Sequence, residues 1–302
     1  MLAVLLLLAT PLFAAPAERA IMVREANLYL SPDTSSQKIG DVGRGREVAI
    51  IAKTRDWLQV FANVDQERDV TGWILDKGVV RTSTPHGDEI IYGEAVDSEA
   101  EASRAHGRRG ADKDAMRLYA RMAEYFPTSP LAAEAAYRGA DIRWQLEAED
   151  ARTLPSSKER DPNLRPKIEE ENMRDVMKKF PGTKWADLAA FHLIQNKLCG
   201  DWQGLPKCPE KEIEIYEKYA KEHPNSPATP EALYDAALRS AALIEIYKSN
   251  DEPGKVAGAK QRALSLTQQI ASSGAKTDWT ARAQRLAYLV DQGVPVYGTQ
   301  VE

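Results

Sequence analysis

The sequence predicts a multidomain chain, a small all-β barrel followed by an all-α solenoid of helical hairpins. Three observations predict it. Residues 18–82 run in short β-type apolar stretches broken by turn residues. From about residue 112 the chain becomes Ala-rich, with apolar residues at helical spacing. An aromatic-or-His–Pro step then returns at Phe126-Pro127, Phe180-Pro181 and His223-Pro224.

A leader is expected before both. Residues 1–17 carry no charge, run through Leu2-Ala3-Val4-Leu5-Leu6-Leu7-Leu8, and end in Ala15-Pro16-Ala17. Small residues at the two positions a signal peptidase reads make 1–17 a signal peptide. A bilayer span needs about 20 apolar residues, so no stable span is expected after cleavage. No Lys or Arg precedes the apolar run, since the first basic residue is Arg19. A start codon upstream of Met1 would explain that, and an uncleaved anchor is the alternative.

Within the barrel the strands fall in order. Ala20-Ile21-Met22-Val23 and Leu28-Tyr29-Leu30 come first, then a turn at Ser31-Pro32-Asp33 and the run Glu47-Val48-Ala49-Ile50-Ile51. Trp57-Leu58-Gln59-Val60-Phe61 follows, then a polar excursion at 63–69 and Gly72-Trp73-Ile74-Leu75. Strands this short at this spacing close into a small barrel.

Four of these segments resemble the bacterial SH3-like domain. They are Ala26-Asn27-Leu28-Tyr29-Leu30-Ser31-Pro32, Ile39-Gly40-Asp41-Val42-Gly43-Arg44-Gly45, Trp57 to Val60, and Gly72-Trp73-Ile74. The resemblance implies an SH3-like barrel over 18–82 that binds cell wall or a peptide. Tyr29, Trp57 and Trp73 are the aromatics that would floor a groove, with Asp33 beside them at the turn. In so small a barrel Trp57 and Trp73 read first as core and rim packing, which leaves Tyr29 and Asp33 the better ligand candidates. Leu30 stands where the family carries Arg, which removes a carboxylate-binding cation at that position.

Residues 83–111 hold few large apolar side chains after Ile90-Ile91-Tyr92, and Gly107 and Gly110 weaken a helical extension over Glu99–Arg109. They read as a linker. Residues 112–292 read as the repeats. Leu118, Met122 and Tyr125 share a helical face that Pro127 ends, because a residue before proline is pushed out of α geometry. The small stripe Ala132, Ala136, Gly139 and Ala140 would form its hairpin partner. The unit recurs with Met173, Val176, Met177 and Phe180 before Pro181, then with Ile213, Tyr216 and Ala220 before Pro224, and more faintly from Ala263 to Leu289. Prolines 127, 181 and 224 lie 54 and 43 residues apart, longer than the tetratricopeptide period of about 34. Inserts at 149–166, 199–208 and 249–258 account for the excess. The segment Tyr216 to His223-Pro224-Asn225-Ser226 with Glu231-Ala232-Leu233-Tyr234 resembles the tetratricopeptide repeats of periplasmic outer-membrane-assembly and Tol-associated proteins. That implies a face for a protein partner. Trp144, Trp185, Trp202 and Trp279 read as helix packing or loop anchors before ligand contacts. Residues 293–302 are a C-terminal tail.

Charge is uneven. The net −5 falls outside residues 18–82, which hold ten basic and ten acidic side chains. No basic stripe interleaved with aromatics appears, so nucleic acid is not an expected partner. In an exported chain the two cysteines, Cys199 and Cys208, read as one disulfide. A metal pair is the alternative, but His192 alone would leave a zinc set incomplete.

The search for catalysis returns little. His86 and His106 sit in the linker, and His223 takes the helix-ending place that Phe takes elsewhere. No phosphate loop, His-Glu-x-x-His or Gly-x-Ser-x-Gly occurs. Acidic runs such as Glu169-Glu170-Glu171 read as solvated helix faces. The expectation is a non-enzymatic protein of the periplasm or cell envelope, with no cofactor or metal, holding wall with its barrel and an envelope protein with its repeats. The alternatives are a purely protein–protein adaptor and, further off, a peptidoglycan hydrolase or its activator.

Overall fold

The computed structural model describes residues 18–64, 68–200, 202, 204–273 and 277–297. The expected signal peptide, 1–17, and most of the expected tail lie outside the described residues. The chain divides into two compact units, Met1–Pro127 and Thr128–Glu302.

In the first unit seven antiparallel strands form one curled sheet, a half-barrel. They are β1 (Glu18–Met22), β2 (Ala26–Tyr29), β3 (Lys38–Val42), β4 (Glu47–Thr54), β5 (Trp57–Val64), β6 (Arg68–Leu75) and β7 (Val79–Arg81), ordered β3-β2-β6-β5-β4-β1-β7. Alternation sets the two faces. On β5, Leu58, Val60, Ala62 and Val64 are buried with Leu28, Val48 and Ile74, while Trp57, Gln59, Phe61 and Asn63 take the other side. Gly72 lets β2 and β3 close over this core: a Cβ there would stand 2.8 Å from both Leu28 Cγ and Ile39 Cδ1. The polar stretch 63–69 extends the ladder at its ends, since Asn63 pairs with Asp69 and Val64 with Arg68.

The stretch expected as a linker contains a helix. Residues Gly87–Ala102 form α1, which packs on α2 (Ala111–Tyr125). Its buried positions are Gly87, Ile91, Ala95 and Ser98. Three of those four are small, so the face packs closely without showing an apolar stripe. The Tyr119 hydroxyl donates to Glu99 at 2.7 Å, and its ring meets that of Tyr92 at 5.6 Å. The hairpin is docked on the sheet. Gly45, at φ 69°, sits so close to α2 that an added Cβ would lie 2.6 Å from Arg117 Cβ. Glu47 on β4 accepts from Arg19 and, at 2.9 Å, from the Tyr125 hydroxyl. Arg44 pairs with Glu94 of α1 at 2.9 Å. Burial opposes ionisation of Glu47, but the hydrogen bonds from Arg19 and Tyr125 outweigh it and hold the carboxyl below its usual value.

The second unit is helical: α3 (Ala132–Thr153), α4 (Glu171–Lys179), α5 (Lys184–His192), α6 (Lys207–Glu222), α7 (Thr229–Ser249), α8 (Pro253–Ser272) and α9 (Asp278–Asp291). Helix α3 packs with α4 and α5, whereas α2 packs with α1. The hairpin expected between α2 and α3 is therefore divided between the two units. Thr183 and Thr277 cap α5 and α9 by accepting from Ala186 and Thr280 amides. The residues before the three recurring prolines share one conformation: Phe126 at −126°, 58°, Phe180 at −128°, 52° and His223 at −127°, 57°. Between α6 and α9 the core holds Ile213, Tyr216, Ala232, Ala236, Ala263 and Leu286.

Candidate binding face of the barrel

Register lays the outward side chains of the sheet in rows. Tyr29 on β2 is opposite Trp73 on β6, Trp73 opposite Gln59 on β5, and Gln59 opposite Ala52 on β4. On one side lies the row Leu75, Trp57, Thr54; on the other, Thr71, Phe61, Ala49. A register shift between Ile50 and Ala52 leaves Ile51 exposed beside them. Neighbours across strands approach closely enough for aromatic contact, and the rings of Tyr29 and Trp57 meet edge to face with centroids 5.7 Å apart.

The rows bring together three of the four predicted site residues. Tyr29, Trp57 and Trp73 are each half-buried on this face. Of the core and rim packing read for the two tryptophans, the core part is corrected, since the buried cluster behind them is aliphatic, and Trp57 packs at the surface on Tyr29. The fourth residue does something else. Asp33 accepts the Ser35 amide at 2.9 Å and the Ser35 hydroxyl at 2.8 Å, closing its own turn. Those two bonds hold its carboxyl below the usual value. Leu30, beside Tyr29, is 62% exposed.

Sequence reasoning passed over Gln59, Phe61 and Asn27. The signal was present, because Trp57, Gln59 and Phe61 recur at period two opposite the buried Leu58 and Val60. Asn27 donates to the Tyr29 hydroxyl oxygen at 3.2 Å and steadies that ring.

The second unit encloses a few polar groups. The disulfide Cys199–Cys208 is formed, with Cα atoms 5.9 Å apart. Its loop sits over Glu212, which is 1% exposed and accepts from the Cys199 amide at 2.7 Å, the Trp202 indole at 3.2 Å and Arg239 at 2.6 Å. Arg239 also lies over the Tyr216 ring, 4.6 Å from its centroid. His192 lies 3.0 Å from the Tyr137 hydroxyl and 3.2 Å from Asp141, against the Trp144 ring. Burial holds its imidazole below the usual value, against the opposite pull of Asp141. Trp144 and Trp202 are buried anchors; Trp185 stacks on Tyr137, and Trp279 rests on Tyr234. Among the described residues no group of three or more His, Cys, Asp or Glu is placed to hold a metal ion, and no helix is long and apolar enough to cross a membrane.

A curled antiparallel sheet of seven short strands is a small-barrel architecture. Residues 24–80 match the family model of the bacterial SH3 domain. Among solved structures the chain is similar to the DHF79 filament at 17% identity, covering 67% of this chain and 96% of that one with a TM-score of 0.26. It is similar also to the de novo designed helical repeat protein DHR64 at 18% identity, covering 68% and 94% with a TM-score of 0.23. No curated protein matches the chain.

Proposed function

We propose that this is a non-enzymatic, exported protein of a bacterial cell envelope. Its barrel holds cell wall through the outward face of Tyr29, Trp57 and Trp73, and its helical repeats scaffold an envelope protein. The observation that carries the reading is the bacterial SH3 match over 24–80 together with an aromatic face that the core does not consume. The α1–α2 hairpin docks through Arg44, Gly45 and Glu47 and reaches Arg19 at the end of the third row, contacts that do not include Tyr29, Trp57 or Trp73, which is compatible with those aromatics left open for a ligand.

Co-sedimentation with purified sacculi tests it, using residues 18–302, 18–127 and 128–302. The first two should pellet and the third should stay in solution. If none pellets, the wall reading is lost and a protein–protein adaptor takes its place. Release of muropeptides by the pure protein would instead make it a hydrolase or its activator.

A further inference from the structure

Resting on that reading, we infer that the barrel's outward face takes the sugar backbone of the wall, a β-linked chain of N-acetylated hexosamines, rather than its peptide stems. The rows Tyr29–Trp73–Gln59–Ala52, Leu75–Trp57–Thr54 and Thr71–Phe61–Ala49 contain no charged residue. Charges border the rows. Arg19, which continues the third row, pairs with Glu47, while Arg55 in the β4–β5 turn makes no ion pair among the described residues. Asp33 is held by Ser35, Lys38 by Asp41 at 2.6 Å, and Lys53 by Asp76 at 2.8 Å. A stem peptide carries carboxylates and an amine, and a face that selected it would set opposite charges against them.

What the face does offer is neutral. The indole N–H groups of Trp57 and Trp73 and the side-chain amide of Gln59 have no hydrogen-bond partner among the described residues. The Tyr29 oxygen already accepts from Asn27, which leaves its own hydrogen to donate. Flat rings suit the C–H face of a pyranose, whose weakly positive hydrogens meet the negative face of the π system. The donors around them suit sugar hydroxyls and the acetamido carbonyl. A ligand pocket of this kind, mostly apolar with a few placed polar groups, reads orientation through hydrogen bonds and gains contact from the rings.

The test titrates residues 18–302 with a β-1,4-linked N-acetylglucosamine hexamer, with free stem tetrapeptide, and with intact sacculi. The hexamer and sacculi should bind and the tetrapeptide should not. Trp57→Ala should weaken the hexamer by about tenfold or more, the loss of one aromatic anchor. Because Trp57→Ala also removes a half-buried ring that packs on Tyr29, a second variant controls for folding: Gln59→Ala, at an outward position, should weaken it several-fold with an unchanged melting curve. Arg55→Ala, in the β4–β5 turn next to Trp57, should change nothing for a neutral sugar and should matter for an anionic stem. Binding of sacculi and tetrapeptide without the hexamer overturns the glycan assignment and leaves wall binding intact. Binding of none of the three overturns both.

Discussion

On β5 of the barrel, successive side chains part cleanly: Leu58, Val60 and Ala62 go to an aliphatic core, Trp57, Gln59 and Phe61 to the outer face. On α6 of the helical unit the core-facing side holds Glu212 beside Tyr216 and Ile213, with Arg239 and the backbone of a disulfide loop to satisfy it. A two-residue period lets a sheet keep polar chemistry outside while its core stays apolar. A helix packed on several sides has no such outlet, so its polar residue is enclosed and must be fully partnered. Both units are held by apolar burial, and the second adds a tied-down ionic centre enclosed within it.

The sharpest way to break the contrast is Glu212→Ala. It leaves a mostly buried Arg239 with Asp235 alone as its ionic partner and strands the Cys199 amide and the Trp202 indole, and should cost about 3 kcal/mol in denaturant unfolding of the second unit. The barrel's transition should not move. Next in size is loss of the disulfide, as Cys199→Ser with Cys208→Ser. On the chain-entropy model a ten-residue closure contributes about 2.5–3 kcal/mol, and Trp202 emission should shift as its loop loosens. In the first unit the comparable hub is Glu47, which is part-exposed. Glu47→Gln should cost no more than about 1 kcal/mol and speed amide exchange in α2 without weakening wall binding.

Acidification should separate the units most gently. His192 is held below its usual value in the fold, so the unfolded chain takes up its proton first. Stability present above the ordinary imidazole value near 6.5 is lost as pH falls below it. Glu47 has a depressed carboxyl, whose contribution stands above about 4.5 and fades only as pH falls through its lower folded value. Amide exchange corrected for intrinsic rate should thus rise in α3 and α5 at a higher pH than in α2 and β4. His192→Gln should flatten the first change and leave the second.

Much of this was legible in the chain and some was not, for reasons that lie in particular residues. Alternation exposed the strands, and Phe126, Phe180 and His223 before proline exposed three helix ends. Helix α1 stayed hidden because its buried face is Gly87, Ile91, Ala95 and Ser98, and small side chains that permit close packing leave no apolar stripe. Tyr29, Trp57 and Trp73 could be named, but their convergence depends on which residues face one another across β2, β6 and β5. That pairing is set by hairpin lengths and the shift at Ile50/Ala52, which local pattern does not encode. The Cys199–Cys208 pairing followed from count and compartment. The buried Glu212 beneath it could not, since an isolated Glu in Lys211-Glu212-Ile213-Glu214 looks like any solvated helix residue.

The common conformation before the three prolines has a consequence for how such a chain can change over time. Dihedrals agree within a few degrees at Phe126, Phe180 and His223, while the prolines that follow stand 54 and 43 residues apart. Length thus varies between positions whose local backbone conformation does not. The chain between them differs in content: 149–166 carries two short 3-10 turns, and 199–208 closes a disulfide. A lineage could change the length of chain between such positions and keep the same helix-ending conformation at each.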